Sequence, residues 1–250
     1  MKRLFDVVFS LVGLIILSPI LLIISICVAV TSRGGIFFRG VRVGQHGKPF
    51  KIIKFRSMVK DAEGKGKWNV GDKDDRITPI GHFLRNTKVD ELPQLINVLI
   101  GNMSFVGPRP ELQFYVDMYT EKEKRILDSK PGITDWASIT NFDQYESFTK
   151  ATDPDEVYLK YIRPLKLQLQ LYYRDNNSFF NDIKIIFWTI YKVISRSKKL
   201  PKEVAFIVEA YKLKQVEIEM AEANKEVASN KGEAKGIEVI VDATKGGFSA

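Results

Sequence analysis

The chain has 250 residues, 38 Lys and Arg against 30 Asp and Glu, and a formal net charge of +8. That length buries a sizeable core, and the surplus of cations favours anionic partners such as phosphates or acidic lipid surfaces. A single cysteine, Cys27, excludes a disulfide framework and a cysteine-based metal site. Nucleic acid is not an expected partner: the basic residues are spread along the chain, and no helix-turn-helix, zinc-finger or aromatic RNA-binding signature occurs.

Leu4 to Val30 is an apolar run with one charged residue, Asp6. As a straight helix it would reach about 40 Å, enough for a bilayer core of about 30 Å. A signal peptide fits poorly, because the run is long and no small-residue cleavage motif follows. Ser18-Pro19 divides it. Pro removes one i→i−4 hydrogen bond and crowds the preceding turn, so a kink is expected, and Ser18 is placed to satisfy a freed carbonyl. Each arm is then about 20 Å, too short to cross alone. Lys2 and Arg3 precede the segment, and Arg33, Arg39 and Arg42 follow it. Basic flanks on both sides favour a hairpin that enters and leaves one leaflet, against the alternative of a kinked ordinary span.

Ile36 to Val43 and Pro49 to Phe55 read as short strands around the turn residues of Gly44 to Lys48, a predicted hairpin. Lys54 and Arg56 alternate along the second strand and share a face, whether as ligands or as a solvated edge. Asp61 to Asp75 is polar and glycine-bearing, a loop suited to covering a site. Arg76 to Arg85 restores order in a short helix. Its two arginines suit phosphate through their planar forks, with ion pairs to Asp75 or Glu91 as the alternative. His82 has no partner at metal-ligand spacing, and His46 reads as a turn residue.

Asp90-Glu91-Leu92-Pro93 carries two adjacent acids ahead of a proline, a pattern for a helix start near Asp90. The helix should run through Leu92, Leu95, Ile96 and Leu99 to Gly101, with Pro108-Arg109-Pro110 as a stiff turn beyond. A carboxylate pair and a rigidly framed guanidinium thus lie close, near a helix N-terminus able to receive phosphate. Local chemistry alone also allows Asp90 as a cap, Glu91 as a first-turn acid and Arg109 as a loop ion pair.

Farther on, Phe114 to Leu127 reads as an exposed charged helix. Asp155 to Asn176 reads as a helix with Tyr158, Tyr161, Leu165, Leu169 and Tyr172 at helical spacing. Ser178 to Tyr191 is amphipathic, with Phe179, Phe180, Phe187 and Trp188 for a membrane interface and Lys184 and Lys192 for head groups. Glu203 to Gly236 reads as a charged helix with a loose apolar stripe, and Ile237 to Val241 as a strand. No role is assigned to this tail.

Asp90-Glu-Leu-Pro-Gln-Leu-Ile-Asn-Val-Leu99, followed by Gly101-Asn-Met-Ser-Phe-Val-Gly-Pro-Arg-Pro110, resembles the signature of the bacterial sugar transferases, the monotopic polyprenyl-phosphate phosphoglycosyl transferases. Lys54 to Met58 and Lys130-Pro-Gly-Ile-Thr134 resemble further family motifs, and the likeness extends from Lys2 to about Arg196. After Thr134 the chain departs. Asp135-Trp-Ala-Ser stands where many members carry Gly-Leu-Ala-Gln, and Phe142 takes the place of an arginine, which puts the sugar in doubt.

The resemblance implies an α+β, mostly helical fold: a re-entrant membrane helix broken at Ser18-Pro19, a small β-hairpin and interface helices. It divides the chain into a membrane helix (1–32), a cytoplasmic-face transferase domain (33–196) and an extension (197–250). It implies transfer of a sugar-1-phosphate from a UDP-sugar to a membrane polyprenyl phosphate, with release of UMP, at the bacterial inner membrane in surface-glycan assembly. Asp90 would be the nucleophile, Glu91 would hold Mg²⁺, and Lys54, Arg56, Arg76, Arg85 and Arg109 would bind phosphate or substrate. Membrane lipids are expected partners, and the sequence allows a homo-oligomer. The competing readings are a non-catalytic anion-binding scaffold and a direct-displacement transferase in which Asp90 is only a metal ligand or base.

Overall fold

The computed structural model describes residues 1–60, 62, 74–141, 154–195 and 199–214. The expected covering loop between Asp61 and Asp75 falls almost wholly outside them, as do Phe142 and the strand expected at 237–241. The chain divides into one unit of residues 1–201 and a second from residue 202, in which 202–214 are helical.

The first unit is mostly helical, with two small two-stranded sheets and an apolar N-terminal helix, α1 (Lys2–Thr31). Its most apolar stretch has a mean hydropathy of 3.0 and is almost entirely uncovered by protein. Pro19 lies inside it, and the Ser18 hydroxyl donates to Ile15 O at 2.7 Å, the carbonyl that the missing Pro19 N–H leaves free. Both arms touch the body. Asp6, buried, accepts from Ser104 Oγ and Phe105 N at 3.1 Å each, and Arg3 donates to Val98 O and Leu99 O. Beyond the proline, Ile24 and Val28 pack with Phe55 and Leu84 in one apolar cluster.

Strands β1 (Phe37–Val43) and β2 (Pro49–Phe55) pair antiparallel, Phe37 opposite Phe55 and Val43 opposite Pro49. The turn between them has His46 at φ 55°, consistent with a turn residue. Helix α2 (Pro79–Thr87) starts with Pro79 in its first turn and the Thr78 hydroxyl accepting from Gly81 N. After α2 come a 3₁₀ turn, Val89–Glu91, and α3 (Gln94–Ile100), closed by Gly101 in the left-handed region at φ 93°. Strand β3 (Ser104–Val106) pairs parallel with a distant partner strand made from the Pro-Gly-Ile-Thr segment.

Between those strands lie α4 (Gln113–Val116) and α5 (Glu121–Lys124), followed by a 3₁₀ turn, Arg125–Asp128. The single exposed helix expected there is thus broken. Thr120 and Glu123 form a reciprocal capping box that starts α5 afresh, and Tyr115, Val116, Tyr119 and Ile126 are buried. Val116, Tyr119 and Ile126 pack with Val43 and Leu167.

The partner strand, β4 (Gly132–Thr134), puts Ser104 opposite Gly132 and Val106 opposite Thr134. The backbones come so close that a Cβ on Gly132 would lie 2.1 Å from Gly107 N, and one on Gly107 would lie 2.1 Å from Lys130 O. Gly132→Ala is therefore expected to destabilise the domain by about 3 kcal/mol or more. Thermal unfolding checks it, and an unchanged melting temperature would contradict the register.

Helix α6 (Trp136–Asn141) follows, then α7 (Pro154–Val157), a π-helical turn (Tyr158–Ile162) and α8 (Arg163–Asp175). The long helix expected across this stretch runs without a break from 154 to 175, with its π-helical turn just before Pro164, which has no N–H for Lys160 O. Leu165, Leu169 and Tyr173 are buried, whereas Tyr161 is exposed. Helix α9 (Phe179–Ser195) leaves Phe180, Ile183, Phe187, Ile190 and Ile194 exposed along one face, as an interface helix requires. Phe179 instead packs on Phe5 of α1, and Lys192 is buried, so it is not at the head-group level expected for it.

Candidate active site

Three elements converge on the acid pair. Lys88, at φ 59°, closes α2 and turns the chain sharply into Val89–Glu91. Asp90 therefore sits in a 3₁₀ turn and does not cap an α-helix; no side chain caps α3. Leu92 N donates to Val89 O, the i→i−3 bond of a 3₁₀ turn, and α3 begins only after Pro93.

Glu91 lies between two cations. Lys54, at the end of β2, donates from Nζ to Glu91 Oε1 at 2.9 Å. Arg109 grips the same carboxylate with both terminal nitrogens, Nη1 to Oε2 at 3.0 Å and Nη2 to Oε1. A two-pronged guanidinium–carboxylate contact fixes direction as well as charge. Burial works against ionisation of Glu91, but the Arg109 and Lys54 charges outweigh it and hold its carboxyl well below the usual range. The Glu91 charge raises Arg109 in turn. Lys54 is lowered from its ordinary value, because burial outweighs the pull of Glu91.

Asp90 is treated differently by the same surroundings. It is 6% exposed, and its Oδ1 is buried with no hydrogen-bond partner. Burial raises its pKa above the usual aspartate value, while Lys54, Arg85 and Arg109 pull back and Glu91 pushes further up. Adjacent acids are thus driven apart, one held firmly ionised and the other less comfortable as an anion. Such separation is the pattern of two carboxylates in different roles.

The structure brings together Lys54, Asp90, Glu91 and Arg109, with Arg85 on α2 near enough for its charge to act on Asp90. It turns the other two arginines elsewhere. Arg56 donates to Gly35 O and Phe37 O, and Arg76 forms a two-pronged pair with Asp74 while Nη1 reaches Ala62 O. The alternative of an ion pair for Arg76 is therefore realised, with Asp74 in place of Asp75 or Glu91. Ser18 and Pro19 lie in α1, as described above.

Sequence reasoning passed over the groups that surround the Arg109 turn. Glu111, 6% exposed, accepts from Tyr158 Oη at 2.9 Å, Tyr119 Oη at 3.0 Å and Lys166 Nζ. Asp135, fully buried, accepts from Arg109 N, Gln170 Nε2 and Ser138 N. The available signal was a polar pair one turn apart, Lys166 and Gln170, inside a stripe of Leu and Tyr.

A model of the family described as bacterial sugar transferase matches residues 1–196. The chain belongs to the bacterial sugar transferase family. It is 40% identical over 194 residues to the uncharacterized sugar transferase EpsL of Bacillus subtilis (strain 168), covering 78% of this chain and 87% of that protein. It is 38% identical over 199 residues to the UDP-glucose:undecaprenyl-phosphate glucose-1-phosphate transferase of Escherichia coli (strain K12), covering 77% of this chain and 40% of that one. It is 36% identical over 210 residues to the exopolysaccharide production protein PSS of Rhizobium leguminosarum bv. phaseoli, covering 79% and 97% respectively. The sugar transferase thus spans most of two of these relatives but less than half of the E. coli enzyme. Its acid pair and Arg109 belong to the matched region.

Proposed function

We propose that this sugar transferase moves a sugar-1-phosphate from a UDP-sugar to a polyprenyl phosphate, undecaprenyl phosphate by likeness to its relatives, in an early membrane step of surface-glycan assembly. The observation that carries the proposal is the buried, unpartnered Oδ1 of Asp90 beside a carboxylate clasped by Lys54 and Arg109. A carboxylate oxygen freed of hydrogen bonds and desolvated is a better nucleophile than one in water.

In this mechanism Asp90 Oδ1 attacks the sugar-bearing phosphorus. The bond from that phosphorus to the bridging oxygen breaks, and UMP leaves with the electron pair. An oxygen of the polyprenyl phosphate then attacks the aspartyl phospho-sugar, the phosphorus–Asp90 bond breaks, and the carboxylate is restored. The relay handles a soluble anion and a lipid-anchored anion in turn. Arg109 and Lys54 supply positive charge where phosphate oxygens arrive, and Arg85 adds to that field.

Glu91 would hold Mg²⁺. Among the described residues no group of three or more His, Cys, Asp or Glu forms a cage. Glu91 is held ionised, as a cation ligand must be, but both its oxygens are engaged by Lys54 and Arg109, so the ion would have to displace one of those contacts and complete its shell with water and substrate phosphates. When bound, the ion supplies charge neutralisation on the diphosphate.

For α1 we propose a re-entrant, monotopic insertion from the cytoplasmic face of the bacterial inner membrane. Two features support it: the Ser18 bond to the carbonyl freed by Pro19, and the packing of both arms on one body. The exposed apolar face of α9 suits the same leaflet.

The test is the full chain in lipid nanodiscs with a panel of UDP-sugars carrying ³²P at the sugar-bearing phosphorus. UMP release is expected with acceptor lipid. Without it, label should be retained on a peptide containing Asp90. Membrane association without UMP release would favour a scaffold. Turnover with sequential kinetics and an unlabelled chain would favour direct displacement.

A further inference from the structure

Arg109 is held from behind by groups that make no contact with the acid pair. Its N–H donates to Asp135 Oδ2 at 3.2 Å, and Pro108 and Pro110 have no N–H, so this is the one backbone donor between Gly107 and Glu111. Asp135 is 0% exposed and its other bonds are fixed: Gln170 Nε2 donates to the same Oδ2 at 3.1 Å, and Ser138 N donates to Oδ1 at 2.6 Å. The second of these caps the start of α6. Two residues beyond Arg109, Glu111 is fastened to Lys166. Lys166 and Gln170 stand one turn apart on α8, so a single buried helix holds the Arg109 segment on both sides.

We propose that Asp135 is a positioning residue for Arg109, setting where the guanidinium lies by fixing its backbone N–H against α8. The framing prolines limit the backbone torsions of the turn, but they cannot anchor it to the rest of the protein. A buried carboxylate that takes three donors at once can do so, because losing any one of them leaves a desolvated group unpaired. The kinetic consequence rests on the proposed phospho-sugar transfer, while the anchoring itself does not.

Asp135→Asn separates the two roles of this side chain. Asn is as good a helix cap as Asp, and its one carbonyl oxygen stays on the shorter Ser138 bond. Its NH₂ then faces the Arg109 N–H, donor against donor. Asp135→Ser keeps a capping oxygen on an arm too short for Arg109, and serves as a second variant.

Hydrogen–deuterium exchange on the full chain in nanodiscs reads the anchoring directly, in peptides spanning residues 107–111. Both variants are expected to speed exchange at Arg109 at least tenfold while the Gly107 N–H, bonded to Thr134 O, stays protected. Unchanged exchange at Arg109 overturns the proposal. With a UDP-sugar that the wild type turns over, kcat should fall about ten- to a hundredfold, with KM changed less. Adding Asp135→Asn to Arg109→Ala should slow that variant by no more than about twofold, because the two act as one unit. Losses that multiply in the double variant would mean a general structural role and would sink the idea. If the wild type turns over no UDP-sugar, the proposed function fails, and the exchange result alone decides the anchoring.

Discussion

Asp90→Asn is expected to lower phospho-sugar transfer by about 10⁴-fold or more, the scale seen when a nucleophile is removed from a covalent mechanism. The amide is nearly the same shape, so the contacts of Glu91 with Lys54 and Arg109 should persist. UMP release and retention of label on the chain are the measurements, and near-normal turnover would remove Asp90 from the nucleophile's role. The pH dependence follows from the raised Asp90 pKa. The nucleophile must be ionised, so the acid limb of kcat/KM should fall at a pH above the ordinary aspartate value of about 3.9.

The same shift makes a stability statement whose sign is opposite to the usual aspartate case. The folded protein binds the Asp90 proton more tightly than the unfolded chain does. Its contribution is therefore most favourable at low pH, and diminishes as pH rises through the unfolded and then the folded pKa. At neutral pH the Asp90→Asn protein is expected to melt higher than the wild type while being inactive. A lower melting temperature would mean that the charged oxygen has a stabilising partner. A higher melting temperature for the inactive variant would make the site one more case in which chemistry is maintained against the stability of the fold.

The second large effect is expected at Lys166. It is buried against Glu111, and Lys166→Met leaves that carboxylate with only the Tyr119 and Tyr158 hydroxyls. Breaking a buried pair from one side costs about 3–5 kcal/mol, which for a domain of this size lowers the melting temperature by roughly 10 °C. Replacing both partners with apolar residues of similar volume, as in Glu111→Leu with Lys166→Met, should recover most of the loss, because no charge is left stranded. Burial opposes the charge of Glu111, but Lys166 and the two tyrosines outweigh it and lower its pKa. The stability it contributes is present above the ordinary glutamate pKa and is lost as pH falls through the depressed one. A single variant as stable as the wild type would contradict the pairing. Because Glu111 is two residues from Arg109, the single variant should also lose transfer activity.

Local chemistry was enough to locate much of this molecule. The strand periods on either side of Gly44 to Lys48 gave the hairpin, with β1 beginning one residue later than expected. The apolar run with Ser18-Pro19 gave a membrane-competent helix and the carbonyl that Ser18 satisfies. The motif around Asp90 and Arg109 gave the family, and the structure brings those residues together through Glu91. Where a capping box intervened, the periodic pattern overran the true element: Thr120 restarts the chain at α5.

The sequence by itself determined which residues are candidates for the chemistry, because an acid pair, a framed arginine and a long apolar segment are properties of neighbours along the chain. Only the tertiary structure decided how they are used. It separated Asp90 from Glu91 by giving one a buried, unpartnered oxygen and the other two cations. It turned Arg56 and Arg76 to other partners, and placed Asp135, Gln170, Glu111 and Lys166 behind Arg109. Apart from the local Arg76–Asp74 pair, those outcomes depend on burial and on contacts between residues up to 55 positions apart, and neither is a property of any local stretch of sequence.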